Sequence, residues 1–192
     1  MTKLRLPVNE EDHRAGSSEA RVTLVEYGDY ECPHCARAFP IVERVRKQLG
    51  KRLLFVFRHF PLANMHPHAE MAAEAAEAAA SQGRFWEMHA ALFADQQALE
   101  DSDLVARARS LGLDSARFEQ ELASGAHRSR VRRDFNSGVR SGVNGTPTFF
   151  VNGLRHDGPW DTTEALLAAL SGLSPEDPDE PPSIAPVWRG RT

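Results

Sequence analysis

Cys32 and Cys35 are the only cysteines of this chain, and Pro33 and His34 separate them. Two thiols at this spacing exchange between dithiol and disulfide, ligate a metal, or simply pack. For exchange the reactive species is the thiolate, so the surroundings of each sulfur set the chemistry. Ala38, Ile41, Val42, Val45 and Leu49 recur at helical spacing just downstream, which places Cys32 at a helix start and Cys35 within the first turns. Pro33 falls at the first helical position, where a missing N–H is tolerated. The unpaired amides and the positive end of the helix dipole then face the first thiol. His34 adds positive charge or a donor, and each of these effects lowers the Cys32 pKa. Cys32 is therefore the expected nucleophile at the exposed helix end. Cys35, turned inward by the helix, is the expected resolving thiol.

A structural zinc site usually collects four ligands, and this chain has no third cysteine. His59, His66 and His68 are the candidates to complete one, but a proline-spaced histidine pair is a poor match to zinc-finger spacing. His89, on an apolar helix face, reads as a packed or capping histidine. Arg128, Arg130, Arg132 and Arg133 read as a solvated helix face, with steering of acidic protein substrates as the alternative. Glu26 stands inside an apolar run six positions before Cys32, where burial should raise its carboxyl pKa; an edge-facing, solvated glutamate is the alternative.

The elements that must position these groups follow from pattern. Residues 22–27 are β-branched and apolar, reading as a buried strand, and 53–57 read as the next. With the helix between them they form a right-handed βαβ unit holding a parallel pair. Pro40 kinks that helix and Gly50 ends it. Residues 67–141 carry about five helical patterns in succession, punctuated by Gly83, Gly112, Gly125 and Gly142. Residues 148–151 and 154–157 flank Asn152-Gly153, a strong two-residue hairpin signal. A closing helix with Leu166, Leu167 and Leu170 follows, with Asp161 expected as its cap. The chain divides into an N-terminal extension (1–19), one α/β domain (20–171) and a proline-rich acidic tail (172–192) expected to be disordered.

The run Glu-Tyr-Gly-Asp-Tyr-Glu-Cys-Pro-His-Cys after a strand, Phe57-Arg58-His59-Phe60-Pro61, His66-Pro67-His68-Ala69 and Gly145-Thr146-Pro147-Thr148-Phe149-Phe150 together resemble the DsbA-like branch of the thioredoxin superfamily. They resemble in particular the thioredoxin-like domains fused to NhaA-type antiporters. The resemblance covers roughly residues 20–170. It implies a thioredoxin fold with βαβ and ββα halves and a helical insertion. It also implies thiol-disulfide exchange with protein or peptide thiols through a mixed disulfide at Cys32, with no cofactor beyond a redox-active Cys32–Cys35 disulfide. By the same resemblance Glu26 lies beneath Cys35 and relays its proton, Thr146-Pro147 is a cis pair facing the cysteines, and Thr146 binds the substrate backbone.

The length and 41% hydrophobic content suit one domain with a sizeable core. A net charge of −4 and a pI near 6.1 leave no electrostatic footprint for nucleic acid or anionic lipid. No stretch is long enough to span a membrane and no leader is visible, so the expectation is a cytoplasmic monomer, or an extracytoplasmic one if a leader has been removed. The electron partner has no signature. The rival from another class is a redox-sensing or metal-holding module without turnover. A glutathione-transferase-like role is weakened because that chemistry does not require a CxxC pair.

Overall fold

A computed structural model describes residues 2–171; the proposed tail, 172–192, lies outside the described residues. Strand β1 is His13–Gly16, β2 Val22–Gly28, β3 Leu53–His59, β4 Thr148–Val151 and β5 Leu154–His156. Helices are α1 Pro33–Leu49, α2 Ala69–Ala80, α3 Phe85–Ala94, α4 Asp101–Ser110, α5 Ser115–Ser124, α6 Arg128–Arg140 and α7 Thr163–Ser171. The sheet order is β1-β3-β2-β4-β5. β2 and β3 run parallel, as a βαβ connection through α1 requires, and the other pairs are antiparallel. This is the expected α/β fold, and α2 to α6 are the five helices of the insertion.

Central β2 reads as a continuous apolar run because both its faces are covered. Alternation sends Leu24 toward α1, α2, α3 and α7, and Val25 and Tyr27 toward Leu4, Val8, Phe60 and Phe135 on the other face. Glu26 shares the parity of Leu24, so its carboxyl enters the same layer as Cys32 and Cys35.

Three expectations are revised. Residues 13–16, within the presumed extension, are an edge strand paired with β3, and Lys3 bridges Leu154. The anchor is Arg58, fully buried, which donates to both carboxylate oxygens of Asp12 at 2.8 and 2.9 Å and to the carbonyls of Leu6 and Pro7. A buried guanidinium demands such partners, and apart from the Tyr27 hydroxyl at 3.0 Å the N-terminal segment supplies them. At α7 the cap is Thr162, not Asp161: Thr162 Oγ1 accepts from the Ala165 amide at 3.1 Å. On α6 the buried side is Val131, Asp134, Ser137 and Gly138, while Val139, whose helical spacing from Val131 and Phe135 assigns it to an apolar face, is exposed. The helix turns polar residues inward because Asp134 meets the His59 amide and Ser137 the Tyr27 hydroxyl. Gly138 allows the approach, since a Cβ there would lie 2.6 Å from the Phe60 ring.

Candidate active site around Cys32 and Cys35

Both cysteines are free thiols at the start of α1. Cys32 is the N-cap residue with extended backbone (φ −72°, ψ 122°), and Pro33 opens the helix. The Cys32 amide donates to the Asp29 carbonyl at 3.2 Å, and its carbonyl accepts the first helical bond from Ala36 at 3.1 Å. This conformation hangs the sulfur over the free N–H groups of the first turn.

The Cys32 pKa falls from 9.0 to about 5. The leading cause is a hydrogen bond from the Cys35 thiol; burial opposes it, and the Thr146 side chain and the amides of Cys35 and His34 add to it. Burial first, then the hydrogen bond to Cys32 and the charge of Glu26, push Cys35 well above its ordinary value. The two thiols are thus electrostatically unequal. Cys32 is nevertheless only 3% exposed, against the expectation of an open helix end, because the Thr146 loop folds over it: Cys32 Sγ lies 3.4 Å from the Thr146 carbonyl oxygen.

The remaining predicted residues gather here unevenly. The Thr146–Pro147 bond is cis. Thr146 Oγ1 is buried without a hydrogen-bond partner of ordinary geometry, leaving the Cys32 sulfur as the charge it faces. Glu26 is buried at 2% exposure, and burial, with the Cys32 charge second, raises its pKa from 4.5 to about 8. Gly28 leaves space for it, as a Cβ there would meet the Phe57 ring at 2.4 Å and Glu26 Oε1 at 3.4 Å. His34 is exposed, its Nδ1 2.5 Å from an Arg37 nitrogen. What reaches Cys32 from His34 is its main-chain N–H.

Residues that sequence reasoning passed over hold the turn. The Asp29 carboxylate is fully buried; Oδ1 accepts from the Glu31 amide, and Oδ2 from Leu62 N at 2.9 Å and His66 Nδ1 at 2.8 Å. Glu31 accepts from the amide and ring of His68. His66 and His68 are therefore partners of acids flanking Cys32. His59 is engaged elsewhere, 2.8 Å from Glu77 Oε1, where His13 also meets that oxygen at 2.7 Å. Those three form the group of metal-ligand type among the described residues, and neither cysteine belongs to it. Arg130 Nε stands 3.8 Å from the same oxygen, so an ion cluster already balances the carboxylate. This corrects the solvated-face reading for Arg130, while Arg128 and Arg133 pair with Glu74 and Glu11. His89 packs as expected, buried with Nδ1 3.0 Å from the Tyr30 hydroxyl.

The family model described as Thioredoxin matches residues 8–171. The chain belongs to the thioredoxin family. Among curated relatives, this thioredoxin-family chain is 47% identical over 185 residues to Na(+)/H(+) antiporter NhaA 3 of Salinispora tropica, and 46% identical over 174 residues to NhaA 1 of Mycobacterium sp. strain KMS. The alignments cover 93% and 90% of the chain but 28% of each antiporter. Among solved structures, BdbD from Bacillus subtilis superposes with TM-score 0.79 at 22% identity, covering 90% of this chain and 97% of that one. A thioredoxin-like oxidoreductase from Silicibacter pomeroyi gives 0.75 at 26% identity, covering 85% and 92%. α-DsbA1 from Wolbachia pipientis gives 0.74 at 22%, covering 89% and 94%. The shared fold is DsbA-like, with the helical insertion included. The start of the match at residue 8 agrees with the anchoring of the N-terminal segment by Arg58.

Proposed function

We propose that this domain is a protein thiol-disulfide oxidoreductase whose nucleophile is Cys32. The observation that carries the reading is the placement of Cys32 at the N-cap of α1 beside the Thr146 carbonyl with Cys35 buried one turn in, which lowers the Cys32 pKa to about 5 and pushes Cys35 well up. In the oxidising direction a substrate thiolate attacks Cys32 Sγ of the Cys32–Cys35 disulfide. The S–S bond breaks, and its electron pair leaves on Cys35, which takes up a proton. Glu26, neutral up to about pH 8 and directed into the cysteine layer, is the donor. A second substrate thiolate then attacks the substrate sulfur of the mixed disulfide and expels Cys32 as a stabilised thiolate. The net change is a substrate disulfide formed and the protein disulfide reduced by two electrons to the dithiol. A low Cys32 pKa favours the reduced dithiol, which makes the disulfide oxidising. In a compartment held reducing, the same steps run in reverse.

The Thr146 carbonyl lies beside Cys32 Sγ, and the Thr146 backbone is proposed to align an extended substrate segment as an added strand. The names of the solved neighbours, which include thiol-disulfide oxidoreductases from Corynebacterium diphtheriae and Actinomyces oris, support the class.

The deciding experiment gives oxidised wild-type protein a reduced peptide dithiol and gives each reduced single-cysteine variant the corresponding peptide disulfide, whose S–S bond Cys32 can attack. Wild-type protein should turn substrate over, Cys35→Ser should accumulate a mixed disulfide at Cys32, and Cys32→Ser should trap nothing. Equal trapping by both variants would reverse the assignment. Absence of turnover together with stoichiometric zinc on the cysteines would replace it by the metal-holding reading.

A further inference from the structure

The loop between α3 and α4 sends one side chain into the cysteine turn. Gln96 Nε2 donates to the Tyr30 carbonyl at 2.7 Å and to the Cys32 carbonyl at 3.0 Å, crossing more than sixty positions of sequence. Both hydrogens of the amide are spent on main-chain oxygens two residues apart, on either side of Glu31. Gln96 also lines a cleft with Glu31, Pro33, His66, His68 and Glu100 beside the cysteine pair. Its neighbour Gln97 is exposed.

We propose that Gln96 is a positioning residue that sets how far the Cys32 thiolate is stabilised. The direction of the Cys32 carbonyl is fixed by ψ, here 122°, and the same angle fixes where the amides of His34 and Cys35 stand relative to Cys32 Sγ. Those amides are among the groups that favour the thiolate. A clamp on the carbonyl is thereby a clamp on the geometry between sulfur and helix N-terminus. The Ala36 amide holds the same oxygen from within the helix, so without Gln96 the helix survives while the turn entering it is freed on the Tyr30 side. The helical insertion therefore acts on the chemistry through one amide.

The inference rests on Cys32 being the reactive thiol, and its test reads the thiolate directly, without substrate. Reduced protein is titrated by ultraviolet thiolate absorbance, and alkylation of Cys32 by iodoacetamide is timed across the same pH range. Gln96→Met keeps the shape and removes both donors, and the midpoint should move up from about 5 by roughly one unit, the scale of one or two lost hydrogen bonds. Gln96→Glu sets an acceptor against two carbonyl oxygens and should raise it at least as far. Gln96→His, which keeps one donor, should fall between wild type and Gln96→Met. Gln97→Met is the control and should titrate as wild type. If Gln96→Met does not fold, the Glu and His variants carry the same ordering. An unchanged midpoint in a folded Gln96 variant, or an equal shift in Gln97→Met, overturns the proposal. Failure of the oxidoreductase reading is separate: it would appear as no turnover in wild type while the Gln96 ordering still held.

Discussion

Two acids of the same class, Glu26 and Asp12, meet opposite fates because one is buried without a cation and the other against one. Glu26 holds its proton to about pH 8 in the fold, whereas the unfolded chain releases it near 4.5. A raised carboxyl pKa means that ionisation is penalised in the native state, so its effect on stability is absent below about 4.5 and grows unfavourable as pH rises toward 8. Glu26→Gln should consequently stabilise the protein, by on the order of 3 kcal/mol near neutral pH, measured as the denaturant midpoint across pH. The same variant should slow exchange and flatten its pH dependence around 8, because the proposed proton donor for Cys35 is gone. A variant with unchanged stability and unchanged pH profile would remove Glu26 from the mechanism. For Asp12, burial alone would raise the pKa, but hydrogen bonds and charge from Arg58 more than offset it and the value falls below 3.8. Its contribution to stability is present above 3.8 and is lost as pH drops through the lowered value.

At the scale of elements, β1 depends on that pair. Arg58 projects from β3, and Asp12 immediately precedes β1, so the ion pair fixes the edge strand against its neighbour. Asp12→Ala leaves a guanidinium buried with only carbonyl and Tyr27 hydroxyl partners. The expected cost is about 3–5 kcal/mol, read as a lower unfolding midpoint. Exchange of β3 amides facing β1 should accelerate more than exchange at β4. A loss under about 1 kcal/mol would mean that the strand is held by its ladder alone. Within α1, Pro40 sits inside the helix as read from sequence, and the helix continues to Leu49 around it.

For the whole molecule, the oxidation state and pH are linked through one group. Cys32 titrates only in the reduced protein, near 5 when folded against an ordinary 9.0. A depressed acid pKa adds stability that is full above 9.0 and is lost as pH falls through about 5. The histidines and the other carboxylates are common to both redox forms and largely cancel in the difference. The stability of the reduced fold minus that of the oxidised fold should accordingly rise with pH from about 5 to 9, by roughly 1.4 kcal/mol per unit at full slope. Paired denaturation curves of the two forms measure it, and a pH-independent difference would contradict the stabilised thiolate. The matched antiporters are more than three times as long as the aligned segment, and none of the described helices is long and apolar enough to cross a membrane.

The sequence by itself determined the cysteine pair at a helix start, the parallel βαβ unit, the count of inserted helices and the Asn152-Gly153 hairpin. These are properties of spacing, periodicity and turn chemistry, which act over a few residues. Glu26 was legible as an acid among apolar neighbours, and strand parity sufficed to send it toward one face. Tertiary structure decided what required distant segments to meet. Asp29 and Gln96 look like ordinary polar loop residues until the β3–α2 loop and the insertion close on the cysteine turn. Arg130 and Asp134 look solvated until α6 lies on β3. Thr162 displaced Asp161 as a cap by a single position, a distinction local pattern does not resolve. Cys32 itself is covered because a loop 114 residues away places the Thr146 carbonyl 3.4 Å from its sulfur. Composition records no contact of that kind, since burial and partner choice depend on what the fold brings near, not on what the chain places alongside.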